Sequence, residues 1–130
     1  MTRDGLDRPL DVIAMPRYMF TGSYTKETIA SLVDSPEDRS VVARRLVESV
    51  GGKLETYNCA FGPEDWVAIA DLPNDEAAGA ISLAVSRSGV TGVRTTKLIT
   101  MDEALEMLRE AKRAAAGFAK PGAAAAAIRR

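Results

Sequence analysis

Two short runs of this sequence carry apolar residues at consecutive positions, and they limit the folds that the chain can adopt. They are residues 18–20 (YMF) and residues 66–70 (WVAIA). Successive side chains of a β-strand point to opposite faces of its sheet, so each run places apolar groups on both faces. Because edge strands rarely carry apolar residues on both faces, we expect these two runs to be central strands.

The segments around these runs predict alternating strands and helices. Strands are indicated by aromatic, β-branched and alternating residues, and helices by apolar residues that recur three and four positions apart. The prediction is a strand over 17–24, a helix from 25, a helix over 35–50, strands over 53–61 and 66–70, a helix ending at Gly89, a strand over 91–99, and a final helix.

Three of the helices have recognisable starting residues. Ser35, followed by Pro36 and two acidic residues, is expected to cap the second helix, and Asn74 or Asp75 the third. Thr100 and Glu103 stand three positions apart, as in a capping box, and open the final helix. Helix ends are predicted at the glycines Gly51, Gly52 and Gly89.

This order of elements predicts an α+β fold of the ferredoxin-like type, βαββαβ, followed by an extra C-terminal helix. In this fold each βαβ half has two parallel strands joined by a right-handed crossover, and one strand of the other half lies between them. The prediction is therefore an antiparallel sheet of order 4-1-3-2. The domain is expected over residues 15–116. Residues 1–14 are predicted to be a flexible extension, and residues 117–130 a flexible tail rich in Ala and Gly.

Composition excludes several kinds of function. The net charge is −1, which provides no field for nucleic acid or for an anionic membrane surface. The sequence has no histidine, which removes imidazole-based zinc sites, haem ligation and Ser-His-Asp chemistry, so we expect no metal and no cofactor. The single Cys59 is interpreted as a packed residue. The sequence has no apolar stretch of about 20 residues, and we expect a cytoplasmic protein.

The apolar residues on both faces of the central strands also bear on assembly. If the helices pack on one side of the sheet, the apolar residues on its other face are exposed to water unless something else covers them. A second copy of the chain is one candidate, which predicts a homodimer or a higher homo-oligomer. The terminal helix, folded back over that face, is the alternative.

Three ordered blocks of the sequence resemble a known family. They are MPRYMFTGSYTKETIASLV, then DSPEDRSVVARRLVESVGGKLETYNCAFGPEDWVAIADLPNDEAA, then VRTTKLITMDEAL. Together they look like the GYD-domain family. The resemblance implies a small α/β fold akin to the dimeric α+β barrels, with no generally established activity.

The turn that gives this family its name falls on residues 62–65. Gly62 and Asp65 match it, whereas Glu64, preceded by Pro63, stands where the family has its tyrosine. A role of that tyrosine therefore does not carry over to this chain.

Asp65 is a candidate binding residue at this turn. It stands directly before Trp66 and close to Phe61, where it could hold a polar ligand at the end of an apolar cleft. The alternative is that Asp65 accepts backbone N–H groups of the turn and has no further role.

A second group of candidates comes from the first and fourth strands, which are neighbours in the predicted sheet. A guanidinium in the middle of a strand is expected to be buried and to need a partner, which is either an anionic ligand or a carboxylate such as Asp65. The alternative is that Arg94 forms an ion pair at the sheet surface or between subunits, without a ligand. The candidates are Thr21, Ser23 and Tyr24 on the first strand and Arg94, Thr95 and Thr96 on the fourth.

Three functions compete at this point. The first is a homo-oligomeric protein that binds a small anionic or aromatic molecule, or acts as an accessory protein. The second is a cofactor-independent oxygenase or isomerase, in which Tyr24, Asp65 or Arg94 orients an acidic substrate. The third is a structural protein that docks a partner through its C-terminal tail.

Overall fold

The computed structural model describes residues 15–122. The chain divides into two compact units, Met1–Leu98 and Ile99–Arg130. The first unit contains β1 (Arg17–Gly22), α1 (Lys26–Asp34), α2 (Arg39–Ser49), β2 (Lys53–Cys59), β3 (Trp66–Asp71), α3 (Asp75–Ser88) and β4 (Arg94–Leu98), and the second contains α4 (Met101–Ala116).

The four strands form one antiparallel sheet of order β2-β3-β1-β4. This is the predicted order 4-1-3-2 read from the opposite edge, so the α+β ferredoxin-like prediction is confirmed. Phe20 lies at the centre, opposite Ala68 of β3 on one side and Thr95 of β4 on the other. The two runs with apolar residues on both faces are therefore the central strands, as the sequence indicates.

Most helix boundaries agree with the sequence. Asn74 caps α3 by accepting the N–H of Ala77, and that helix ends at Gly89, which has a left-handed φ of 74°. Gly51, with a φ of 81°, follows α2 and supplies the predicted left-handed turn.

The predicted cap of the second helix is wrong. Ser35 closes α1, because its N–H donates to the Ser31 carbonyl, whereas Asp38 caps α2 by accepting the N–H of Ser40. The physical reason is that the Asp38 carboxylate accepts both the N–H and the hydroxyl of Ser40, whereas Ser35 is used to close α1. Helix α2 therefore begins at Arg39, after the proline rather than around it.

The core of the first unit lies between one face of the sheet and helices α2 and α3. Tyr18, Phe20, Trp66, Ala68 and Ala70 are buried on this face, in alternation with half-buried residues. Val47 of α2, together with Ala77, Ala78 and Ile81 of α3, packs against them.

On the opposite face, four residues of the two central strands are half-buried, namely Met19, Thr21, Val67 and Ile69. In the register of β1 with β3, Met19 lies opposite Ile69, and Thr21 lies opposite Val67. We call these four residues the open face. Its centre is mainly apolar, in agreement with the alternation read from the sequence.

A buried carboxylate, Asp71, lies at the end of β3 next to the open face. Arg17, its register partner on β1, places Nε 3.3 Å from an Asp71 carboxylate oxygen. The nearby Asp71 carboxyl, followed by burial, raises the pKa of Glu55 on β2. The ion pair offsets part of the cost of burying the Asp71 charge.

The second unit is built around α4. Its predicted capping box is confirmed, with the Thr100 side chain bonded to the Glu103 N–H and the Glu103 side chain bonded to the Thr100 N–H. Met101, Leu105 and Leu108 recur at intervals of four and three residues and are exposed. Helix α4 is therefore amphipathic.

The predicted N-terminal extension over 1–14 and the last part of the tail, 123–130, lie outside the described residues. None of the helices formed by residues 15–122 combines the length and the apolar character that crossing a membrane requires.

Candidate ligand-binding site

A cavity of about 300 Å³ lies between the sheet and the helices α2 and α3. The sheet supplies its floor, and the two helices and the segment before β4 supply its walls. Most of the lining is apolar. It consists of Phe20, Tyr24, Arg39, Val42, Ala43, Leu46, Val47, Leu54, Tyr57, Trp66, Ala68, Ile81, Ala84, Val85, Ser88, Val90, Thr91 and Val93.

Small side chains form part of the cavity lining. Ala43 of α2, Ala84 of α3 and Ala68 of β3 all line the space. Val42, on the α2 side, is 42% exposed, so the cavity reaches the protein surface between the helices. The first unit thus combines a packed core with an accessible apolar space.

Two tyrosine hydroxyls meet at the wall of this cavity. The hydroxyl oxygens of Tyr24 and Tyr57 lie 2.8 Å apart and share a hydrogen bond. Burial, followed by the hydrogen bond with Tyr24, raises the pKa of the Tyr57 hydroxyl. Tyr57 is therefore protonated at neutral pH and can serve as a hydrogen-bond donor.

The backbone of Tyr24 is fixed from two sides. Its N–H donates to a carboxylate oxygen of Asp65 at 2.8 Å, and Tyr24 also forms an isolated β-bridge with Thr91. Tyr24 lies beyond the end of β1, so the hydrogen bonds of that strand do not hold its backbone. The bond to Asp65 and the bridge to Thr91 hold it instead, and they thereby fix the position of the ring.

Trp66 is the buried aromatic residue of the cavity floor. Its indole N–H donates to the Thr91 hydroxyl at 3.0 Å, and that hydroxyl in turn donates to the Ser23 carbonyl at 2.8 Å. The Trp66 and Tyr57 rings stack, with centroids 5.8 Å apart and planes 6° from parallel. The polar edge of the indole is thus satisfied within the protein, and its carbon surface contributes to the apolar lining.

A second cavity, of about 340 Å³, adjoins the first and shares Tyr24, Arg39 and Tyr57 with it. Its six other lining residues are Leu32, Pro36, Glu37, Asp38, Ser40 and Cys59, of which three are polar. The tyrosine pair and Arg39 therefore lie at the boundary between the two cavities, and the acidic residues line only the second.

The charges at this boundary are already paired. A terminal nitrogen of Arg39 lies 3.0 Å from a Glu37 carboxylate oxygen. Asp38 accepts hydrogen bonds from the Ser40 hydroxyl and N–H, at 2.6 and 3.0 Å, and these bonds lower the pKa of the Asp38 carboxyl.

The predicted site residues fall into separate parts of the fold. Tyr24 and Trp66 line the first cavity. Asp65 stands at the β2–β3 turn, and through its bond to Tyr24 N–H it holds a residue of the cavity in place. Phe61 is fully exposed at the tip of that turn.

Three other predicted residues lie on the opposite side of the sheet. Thr21 faces Arg94 in the β1–β4 register, and Thr96 faces Met19, so all three belong to the face away from the cavity. The expectation that Arg94 is buried is wrong. It is the first residue of an edge strand, its side chain is 83% exposed in the single chain, and it pairs with Glu64 at 3.5 Å.

Comparison with known families assigns the chain. A family model described as the GYD domain matches residues 18–108, more than two thirds of the sequence. The chain belongs to the GYD domain family. No match was found among curated proteins.

Glu64 of this GYD domain lies at the β2–β3 turn, where the structure shows its partners. One carboxylate oxygen accepts a hydrogen bond from the Ser23 hydroxyl at 3.1 Å, and the other pairs with Arg94. Glu64 thus ties the turn to β1 and β4. The tyrosines at the cavity are Tyr24 and Tyr57, which come from other parts of the chain.

Among the polar residues that line the GYD domain's first cavity, sequence analysis missed Arg39, Tyr57, Ser88 and Thr91. Tyr57 could have been found, because the alternation of β2 places it on the same side as Leu54 if the strand carries a bulge, as it does between Leu54 and Thr56. Arg39 is the first residue of α2, and no local pattern in the sequence shows that its side chain lines the cavity.

No three His, Cys, Asp or Glu side chains within residues 15–122 lie close enough together to hold a metal ion. Cys59, predicted to be packed, is exposed and lines the second cavity.

Proposed function

We propose that this GYD domain is a homo-oligomeric protein that binds a small, largely apolar molecule in the cavity between its helices and its sheet. The observation that carries the proposal is the cavity itself, an accessible space of about 300 Å³ with a mainly apolar lining and two hydroxyls at one wall. Binding sites for small molecules have this combination of an apolar lining and a few placed polar groups.

The size of the cavity argues against a mere packing defect. Protein interiors are close-packed, and empty space costs stability because the lining residues lose contacts. The cavity, at about 300 Å³, is about ten times the volume that one water molecule occupies in the liquid. An apolar lining holds water poorly, so an apolar molecule would regain contacts that the protein lacks without it.

Binding is favoured over catalysis by the groups that surround the cavity. Of the lining residues of the first cavity, all within residues 15–122, Arg39 is the charged one, so the lining contains no carboxylate that could act as a base. The raised pKa of Tyr57 keeps its hydroxyl protonated, which suits hydrogen bonding to a ligand better than proton abstraction. Two alternatives stay predictions. They are a cofactor-independent oxygenase or isomerase, and a structural protein that docks a partner through its C-terminal tail.

The homo-oligomeric part of the proposal is supported by the open face. Met19, Val67 and Ile69 are half-buried on the sheet face away from α2 and α3. Apolar side chains on two neighbouring central strands form a continuous patch that a second copy of the chain would cover.

Native mass spectrometry of the protein purified from its own host tests both parts together. We expect a mass that corresponds to two or more chains, with an additional mass that is released on denaturation. Ala43→Leu, which fills the cavity, is expected to remove the additional mass, whereas Ala80→Leu, the same change at an exposed position of α3, is expected to keep it. A single chain would overturn the oligomer, and a wild-type protein that carries no additional mass would overturn the bound ligand.

A further inference from the structure

We propose that the ligand of this cavity is uncharged and consists of a compact apolar body with one hydroxyl or carbonyl group. The inference rests on the proposed function and names the ligand class for the same site. It departs from the anionic ligand that the sequence suggests on the basis of Arg94, because Arg94 lies on the other side of the sheet.

An anion finds no unpaired positive charge at the cavity. Arg39 is the cation at the boundary, and Glu37 already holds it at 3.0 Å. Asp38 adds a second negative charge, so residues 37–39 together carry a net charge of −1. An anionic ligand would therefore lose its hydration in the apolar cavity, and at the boundary it would meet two carboxylates beside a guanidinium that already pairs with one of them.

A cation is disfavoured because the apolar cavity offers no group that replaces its hydration. The lining of the first cavity, all within residues 15–122, contains no carboxylate. Glu37 and Asp38 line the second cavity, where both are exposed and accept hydrogen bonds from Arg39 and from Ser40. An ammonium group in the first cavity would therefore lose its hydration shell without gaining a compensating charge.

An uncharged polar group, in contrast, finds a matched partner in the tyrosine pair. Two hydroxyls that share one hydrogen bond use one of their two protons, so the second proton can be donated to a ligand. The oxygen lone pairs of the pair can also accept a hydrogen bond. A ligand hydroxyl or carbonyl at this boundary would be satisfied, while the rest of the molecule lies in the apolar cavity.

The test uses three probes with the same apolar skeleton, namely 1-adamantanol, adamantane-1-carboxylate and 1-adamantylammonium, at neutral pH. Trp66 is the only tryptophan of the chain and lines the cavity, so its fluorescence reports binding directly. We expect 1-adamantanol to bind at least about tenfold more tightly than either ion. If an ion binds as tightly as the alcohol, the inference is overturned and the proposed function stands. If none of the three binds, the proposed function itself fails.

A substitution of Glu37 tests whether the pairing of Arg39 with Glu37, rather than ligand polarity in general, weakens binding of an anion. Glu37→Gln releases Arg39 and removes one negative charge, so it should tighten binding of the carboxylate several-fold relative to that of 1-adamantanol. Glu48→Gln, at an exposed position of α2 away from the cavity lining, is the matched control and should leave this ratio unchanged. The same ratio in wild type and Glu37→Gln would contradict the charge argument.

Discussion

The hydroxyls of Tyr24 and Tyr57 meet at 2.8 Å although the segments that carry them are not neighbours in the sheet. Tyr57 lies on β2 and Tyr24 follows β1, with β3 between those strands. The two rings therefore reach across β3 on the helix side, and their contact forms part of the boundary between the two cavities.

Removal of either hydroxyl should cost one hydrogen bond. We expect Tyr24→Phe and Tyr57→Phe each to lower the free energy of unfolding by about 0.5–1.5 kcal/mol, measured by urea denaturation. The double variant should be little worse than either single variant, because both substitutions break the same bond. Fully additive losses would show that the two hydroxyls act independently.

High pH should destabilise the protein through Tyr18. Burial, followed by the hydrogen bond to Asp75, raises the pKa of Tyr18 from 10.0 to about 12. The unfolded chain thus loses this proton at a lower pH than the folded protein, so the stability that Tyr18 contributes is complete below pH 10 and is lost as the pH rises towards 12.

Tyr18→Phe is the matched variant for this pH dependence, because it removes the titrating hydroxyl and keeps the ring. Urea denaturation across this pH range should show a shallower loss of stability in Tyr18→Phe than in wild type. Parallel curves for the two proteins would contradict the assignment.

Gly22 is required by the close approach of two other groups. A Cβ at this position would lie 2.1 Å from the Gly92 carbonyl oxygen and 2.7 Å from the Trp66 ring. Gly22→Ala should therefore destabilise the protein by about 1–3 kcal/mol, as overpacking does, and shift the fluorescence of Trp66.

Gly62→Ala provides the control, since a Cβ at Gly62 has no neighbour within 4 Å. Its stability should stay within about 0.5 kcal/mol of wild type. If both alanine variants are as stable as wild type, the packing around Trp66 is looser than described.

The open face predicts the effect of a charge on assembly. Ile69→Lys places an ammonium group in the centre of the apolar patch and should shift the oligomer towards single chains in analytical ultracentrifugation. Leu83→Lys, at an exposed position of α3, should leave the oligomer intact. Far-UV circular dichroism verifies that both variants are folded. An unchanged oligomer in folded Ile69→Lys would locate the interface elsewhere.

The strand order of the sheet and most helix boundaries were predicted correctly, because both depend on patterns within short stretches of sequence. Apolar residues on both faces of β1 and β3 identify central strands, and the capping box at Thr100 and the glycine at Gly89 mark helix boundaries. The start of α2 was misplaced, because Ser35 and Asp38 are both good capping residues and the sequence does not show that Ser35 closes α1 while Asp38 accepts the N–H and hydroxyl of Ser40.

The site was only partly predictable, because it depends on how separate elements pack. Tyr24 and Trp66 were proposed and do line the cavity, but Thr21, Arg94 and Thr96 lie on the opposite face. The cavity itself is lined in part by alanines such as Ala43 and Ala84 on two helices, and no local pattern shows that they face the same space.

The cavity as a binding site is tested most directly by titrating the protein with 1-adamantanol while recording Trp66 fluorescence, in wild type, Ala43→Leu and Ala80→Leu. The account predicts a saturable change in wild type and in Ala80→Leu that is lost in Ala43→Leu, whose larger side chain occupies the cavity. No saturable change in wild type, or an unchanged affinity in Ala43→Leu, would contradict it.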